Sequence, residues 1–274
     1  MSDPSSLQDI EIRLLLEAIY LRFHYDFRSY SMASLKRRVA AALVRLHCAT
    51  ISELQGKLLH HPETFVLLLD VLTVQVSDMF RDPPFFRYFR ERVVPELRTY
   101  PSVRLWVAGC SSGEEVYSFA IVLREEGLLD RTLIYATDIS ADALARAEAA
   151  VYPQDRVATF TENHARAGGR RSLSEYYTAA YGGAVLDRSL RSNVVFSDHS
   201  LATDSVFAEV QVVSCRNVLI YFDRNLQKRA VGLFRESLSR RGFLGIGAKE
   251  SLQLSGEAEP FEELEREGKW YRRR

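Results

Sequence analysis

The stretch VRLWVAG (103–109) is apolar apart from Arg104, turns through Gly109 and Gly113, and opens on EEVYSFAIVLREEG, whose apolar residues recur at helical spacing. A strand, a tight glycine turn and a helix in direct succession commit a chain to a parallel sheet. The next strand can return beside the first only through a right-handed crossover. The pattern then repeats. TLIYATD (132–138) reads as a second strand, and Ser140 as the N-cap of the helix ADALARAEAAVY. NVVFS (193–197), EVQVVSC (209–215) and GFLGIGA (242–248) read as further strands, the last preceded by a long helix, DRNLQKRAVGLFRESLSRR, running to Gly242. Residues 152–192 break the alternation, with Gly168-Gly169, Gly182-Gly183 and short runs such as SEYYTAAY, and read as a small β insertion.

Before Pro101 the periodicity is different. Residues 6–72 read as helical throughout, with Leu35, Val39, Leu43 and Leu46 on one face. Ser6-x-x-Asp9 resembles a capping box, Thr50-x-x-Glu53 forms one, and Pro62 suits the first turn of PETFVLLLDVL. The expected organisation is a helical N-terminal domain (1–72), a linker (73–84) and an α/β domain (85–274) whose β subdomain spans about 172–192. Lys+Arg and Asp+Glu balance at 36 each, so no global field draws the chain to nucleic acid or membrane. No apolar run reaches the roughly 18–20 residues of a membrane span, and the acidic start lacks a signal-peptide core. Cys48, Cys110 and Cys215 are far apart and give neither a disulfide framework nor a CxxC metal pair, which suits a cytoplasmic protein. Cys215 reads as a small buried strand residue.

The glycine turn narrows the ligand. A strand–turn–helix of this kind usually seats an anion on the first helical N–H groups. Here Glu114 and Glu115 occupy that place, and neither G-x-G-x-x-G nor G-K-[ST] is present. Asp138 closes the next strand, where an acid commonly accepts hydrogen bonds from ribose hydroxyls. Glutamates at a helix start also complement the helix dipole, worth about 0.3–1 kcal/mol each. A ligand with a ribose and a cationic amino-acid end, without phosphate, fits all three carboxylates. S-adenosylmethionine has that composition.

Taken in order, TVQVSDMFRDPPFFRYF (73–89), the glycine turn, SCRNVLIYFD (214–223) and GFLGIGAKESL resemble the CheR family of chemoreceptor glutamate methyltransferases, from about residue 30 to the closing WYRR. The resemblance implies a Rossmann-like, S-adenosylmethionine-dependent methyltransferase domain behind an all-helical one. It implies cofactor contacts from Gln75, Ser77, Arg81, Gly109, Glu115, Asp138, Ser200, Leu201, Arg216 and Asn217, with Arg81 and Tyr221 orienting the attacking carboxylate. Gln75, Ser77 and Ser200 replace the family's asparagine, threonine and asparagine, and Lys249 stands near its usual histidine. The implied product is S-adenosylhomocysteine, with no metal and no covalent enzyme intermediate. The implied partner is the cytoplasmic domain of a methyl-accepting chemoreceptor, met by a monomer in the bacterial cytoplasm at receptor arrays, with no nucleic acid and no membrane insertion.

A basic span strengthens the docking expectation. Arg28, Lys36, Arg37, Arg38 and Arg45 fall within residues 27–52, which contain no acid. Arg38 and Arg45 lie seven residues apart on one helical face and are expected to form a polar stripe for glutamate-rich receptor helices. The rival readings are a nucleic-acid methyltransferase, which needs a basic groove beside the site, and a non-catalytic regulator that only binds the cofactor or its product.

Overall fold

The computed structural model describes residues 6–73, 76–180 and 182–274. Four helices come first: α1 (Leu7–Phe23), α2 (Met32–Arg45), α3 (Ile51–His60) and α4 (Thr64–Leu72). They close a core of their own around Ile12, Leu15, Leu35, Val39, Leu54 and Leu68. Ser6 Oγ accepts from Asp9 N–H at 3.2 Å and caps α1. At α3 the box is displaced: Thr50 accepts from Glu53 N–H, but Glu53 turns back to Ala49 N–H at 2.6 Å instead of Thr50.

The expected basic stripe does not form. Arg38 shares the apolar face of α2 with Leu35, Val39 and Ala42, so packing carries it inward and leaves it 5% exposed. Arg45 is on the surface but pairs with Asp70 of α4 at 2.6 Å. Lys36 pairs with Asp9 at 2.6 Å, and Arg28 with Asp26 and Glu17. The acids missing from residues 27–52 arrive from α1, the turn after it, and α4.

Beyond residue 76 the elements are α5 (Pro83–Tyr88), a π-helical turn (Phe89–Val93), α6 (Val94–Leu97), α7 (Glu114–Glu125), α8 (Ala141–Ala149), α9 (Val157–Arg166), α10 (Arg224–Ser237) and α11 (Leu252–Ser255). They enclose strands β1 (Val103–Ala108), β2 (Thr132–Asp138), β3 (Val151–Pro153), β4 (Tyr177–Ala180), β5 (Gly183–Leu186), β6 (Val194–Asp198), β7 (Val210–Cys215), β8 (Leu238–Ile246), β9 (Phe261–Glu265) and β10 (Trp270–Arg273). The main sheet runs β6-β2-β1-β7-β8-β10-β9, and β3-β5-β4 form a separate small sheet. Strands β6, β2, β1, β7 and β8 are parallel, while β10 is antiparallel to both neighbours. The protein is therefore Rossmann-like, and the strand order reverses between β1 and β7, where open α/β sheets place their ligands.

Two expectations shift. The long helix stops at Ser237 rather than reaching Gly242, because Leu238 is drawn fully into the sheet opposite Val210. The small sheet takes its first strand from Val151–Pro153, upstream of 172–192. The residues around that sheet are held by a buried cluster. Arg90, on the π-helical turn, reaches Glu125 and also Glu126 at 2.9 Å. Glu125 additionally accepts from Tyr176 at 3.1 Å, from the Arg170 and Arg171 N–H groups, and lies 3.2 Å from His164 Nε2. Among the described residues no helix is long and apolar enough to cross a membrane.

Candidate active site

A cleft opens at the carboxyl ends of β1, β2 and β7, walled on its far side by α2, α4 and the segment before α5; with its open mouth it encloses about 970 Å³. Its floor is the glycine turn. The N–H groups of Gly109 and Cys110 both donate to Thr137 carbonyl, at 2.8 and 2.9 Å, folding the turn onto β2. Gly109 has φ +72°, and a Cβ there would lie 2.5 Å from Val218 Cγ2, so only glycine fits. Asp138 accepts from Ser111 N–H at 2.9 Å and Ser140 N–H at 3.0 Å while lining the cleft. Burial pushes its carboxyl up, and these backbone donors partly offset that.

The adjacent glutamates part company. Glu114 is fully buried and turned away, paired with Arg156 at 2.9 Å and Ser112 Oγ at 2.7 Å. Glu115 lines the cleft, accepting from Ser214 Oγ at 2.6 Å and Arg216 Nη1 at 2.8 Å. The other terminal nitrogen of Arg216 donates to Asp82 at 2.8 Å and to Arg81 carbonyl at 2.7 Å, and its guanidinium lies 4.1 Å from the Phe85 ring centroid. Arg216, expected as a cofactor contact, lines the cleft with both terminal nitrogens held by protein partners. Asn217 follows with φ +61°.

The remaining expected residues are distributed around the same cleft. Ser77, Ser200, Leu201 and Tyr221 all line it. Ser77 carbonyl accepts from Arg156, while Ser200 N–H donates to Asp204 at 2.9 Å. Arg81 is half-buried, and among the described residues its guanidinium donates to Val76 carbonyl at 3.2 Å. Gln75 lies outside the described residues. The helical part contributes Tyr30, Leu72 and Arg38, the last assigned from sequence to a docking surface. Arg38 lies 4.1 Å from the Tyr221 ring centroid and donates to Leu72 carbonyl, yet among the described residues its Nε and Nη2 have no hydrogen-bond partner. Its charge at an apolar-face position was the one sequence signal of this placement. Burial pushes the Cys110 and Cys215 thiols well up, so neither is a ready nucleophile.

Residues 75–268 match the family model described as CheR methyltransferase, SAM binding domain, and residues 10–73 match CheR methyltransferase, all-alpha domain. The chain belongs to the CheR methyltransferase family. A Pseudomonas putida protein named "Putative methyltransferase Cher3" is 60% identical over 93% of this chain and 94% of its own length. The chemotaxis protein methyltransferase of Listeria innocua is 30% identical over 83% and 84%, and that of Vibrio anguillarum 28% over 86% of each.

S-adenosylmethionine is the cofactor of this CheR-family protein, and the cleft fits it. Asp138 retains lone pairs for a diol, Glu115 presents negative charge for an ammonium, and Gly109 keeps the floor free of a Cβ. The apolar sides of Leu201, Val218 and Phe222 offer contact for a flat ring system. Among the described residues no cluster of His, Cys, Asp and Glu is arranged to hold a metal ion.

Proposed function

We propose that this CheR-family methyltransferase esterifies glutamate side chains on the cytoplasmic helices of a chemoreceptor. The observation that carries the reading is the Arg38 guanidinium: 5% exposed, seated on Tyr221 at the cleft, with two nitrogens lacking partners among the described residues. A buried guanidinium with unmatched donors is costly unless an anion completes it, and a carboxylate is the natural complement. Arg81 borders the same cleft, so two arginines are available to fix one carboxylate.

The chemistry asks little proton transfer of the protein. A glutamate side chain, with an ordinary pKa near 4.3, is already ionised at neutral pH. Bound S-adenosylmethionine supplies an electrophilic methyl group on a cationic sulfur. Asp138 and Glu115 serve the ribose and ammonium ends, Leu201 packs the base, and Asn217 lines the floor. Arg38, Arg81 and Tyr221 orient the acceptor carboxylate and exclude water, and orientation with desolvation supplies most of the rate. The pairing of Lys36, Arg28 and Arg45 with neighbouring acids supports a docking determinant at the cleft rather than on an open stripe.

Incubation of a glutamate-rich receptor signalling-domain fragment with methyl-labelled cofactor tests the reading. Mass spectrometry is expected to find base-labile methyl esters on glutamates. Tight binding of S-adenosylhomocysteine with no label on that fragment would exclude receptor esterification and leave the regulator reading.

A further inference from the structure

Glu250 touches neither the cleft nor any residue assigned to cofactor binding through a side chain. It is 4% exposed, and its carboxylate is ringed by backbone amides. Oε2 accepts from Gly247 N–H at 2.6 Å and Asn217 N–H at 3.1 Å, and Oε1 accepts from Ile220 N–H at 3.2 Å. One anion therefore joins the end of β8 to the turn after β7.

We infer that Glu250 is a positioning residue for methyl transfer, fixing through these amides the places of Asn217 and Tyr221. Three features support it. Asn217 holds φ +61°, in the left-handed region that most side chains avoid and asparagine tolerates best, and its N–H there meets Glu250. Ile220 N–H lies in the first turn of the 3-10 segment Leu219–Tyr221, has no partner within that turn, and is satisfied by Glu250. A Cβ on Gly247 would lie 2.7 Å from Glu250 Oε2 and 2.8 Å from Asn217 N, so the approach needs glycine there as well. Three donors facing one group call for a carboxylate, since a glutamine would direct its own NH2 at an N–H. The consequence reaches the substrate side, because Tyr221 carries the Arg38 guanidinium on its ring.

The turnover arm of the test rests on the receptor-glutamate reading; the binding and exchange arms do not. Glu250→Gln is expected to retain S-adenosylhomocysteine affinity within about fivefold by calorimetry while kcat on the receptor fragment falls at least about tenfold. Amide exchange should quicken in 216–221 and stay unchanged in β1 and α7. Combining it with Tyr221→Phe should cost less than the product of the two single losses, because both act on one geometry. Unchanged kcat, losses that simply multiply, or parallel loss of affinity and global protection would each overturn the assignment. If the wild-type protein fails to methylate the fragment, the acceptor reading falls. Glu250 is then judged by exchange alone: quickening confined to 216–221 supports it, while global or absent change overturns it. Glu250→Asp, charged but shorter, provides the same comparison if the glutamine variant does not fold.

Discussion

Among the described residues two buried arginines each gather two carboxylates, and they serve opposite ends. Arg90 and its partners Glu125 and Glu126 have side chains 6%, 0% and 3% exposed, and none of the three lines the cofactor cleft. Arg216 is more deeply buried at 1%, but its partners Glu115 and Asp82 are 14% and 40% exposed, and Glu115 lines the cofactor cleft. The closed cluster pins the segment 164–176 to α7. The open one leaves Glu115 within reach of a ligand. Charge pairing of one kind thus supports the fold where it is sealed and serves chemistry where one side is left unfinished.

The titration of nearby acids follows the same division. Burial pushes Glu125 up, but His164 and Arg90 outweigh it and hold its carboxyl at about 2. Burial dominates at Asp138, in the cleft, and at Glu250, behind it, and pushes both carboxyls upward. A lowered carboxyl stabilises the fold above the ordinary range near 4.5, and that contribution disappears as pH falls toward 2. A raised carboxyl has the opposite sign: its contribution is present below the ordinary value and is lost as pH rises through the folded one. Acid should therefore attack the closed cluster first.

The largest expected effect breaks the closed cluster. Arg90→Ala removes the buried arginine shared by Glu125 and Glu126, leaving Glu126 to the half-exposed Arg98 and the exposed Arg170, and should destabilise the protein by up to about 3–5 kcal/mol in urea unfolding. Arg216→Ala should cost less, since Asp82 rehydrates, but should weaken S-adenosylhomocysteine binding. Equal stability losses would erase the distinction drawn above. Next, lowering pH from 6 to 3 should remove a large part of the roughly 3 kcal/mol that Glu125 contributes. Glu125→Gln should flatten this dependence, measured as the urea midpoint against pH, and a dependence that survives it must come from other acids. Asp138→Ala tests the open side and should weaken S-adenosylhomocysteine by about 1–3 kcal/mol through unpaired ribose hydroxyls. Calorimetric affinity equal to wild type would place the ribose elsewhere. The smallest effect is at Arg45→Ala, whose exposed pair with Asp70 should contribute no more than about 1 kcal/mol, read as a shift in melting temperature.

The parts legible in the sequence are those governed by neighbours along the chain. Apolar runs gave β1, β2 and β7 within a residue or two, and Gly109 and Gly113 marked the turn because their φ values are positive. Ser140 was readable as a cap, and its Oγ does accept from Ala143 N–H. What escaped depends on distant partners. The burial of Arg38 is set by α4 and by Tyr221, and the neutralisation of Arg45 by Asp70. The Glu250 contacts were hidden for a different reason: its partners are backbone amides, which every residue except proline possesses. The end of α10 was missed because SLSRR suits a helix locally, and only pairing with β7 makes Leu238 a strand.

The Phe85 ring under Arg216 has a consequence for how the protein is made. Its other face stacks on Trp270 at 4.5 Å, and Trp270 Nε1 donates to Phe85 carbonyl across 185 positions of sequence. Strand β10 also inserts between β8 and β9, which are both synthesised before it. The helical part can close its core as soon as α4 has left the ribosome, because the buried residues of that core lie within 12–72 and only Ile139 among the described residues packs on it from the later part. The cleft must wait. Until Trp270 emerges, Phe85 lacks half its support and the sheet keeps an open edge beside β8, so the nascent methyltransferase half is the stage at which translation speed and chaperone access should govern the yield of active protein.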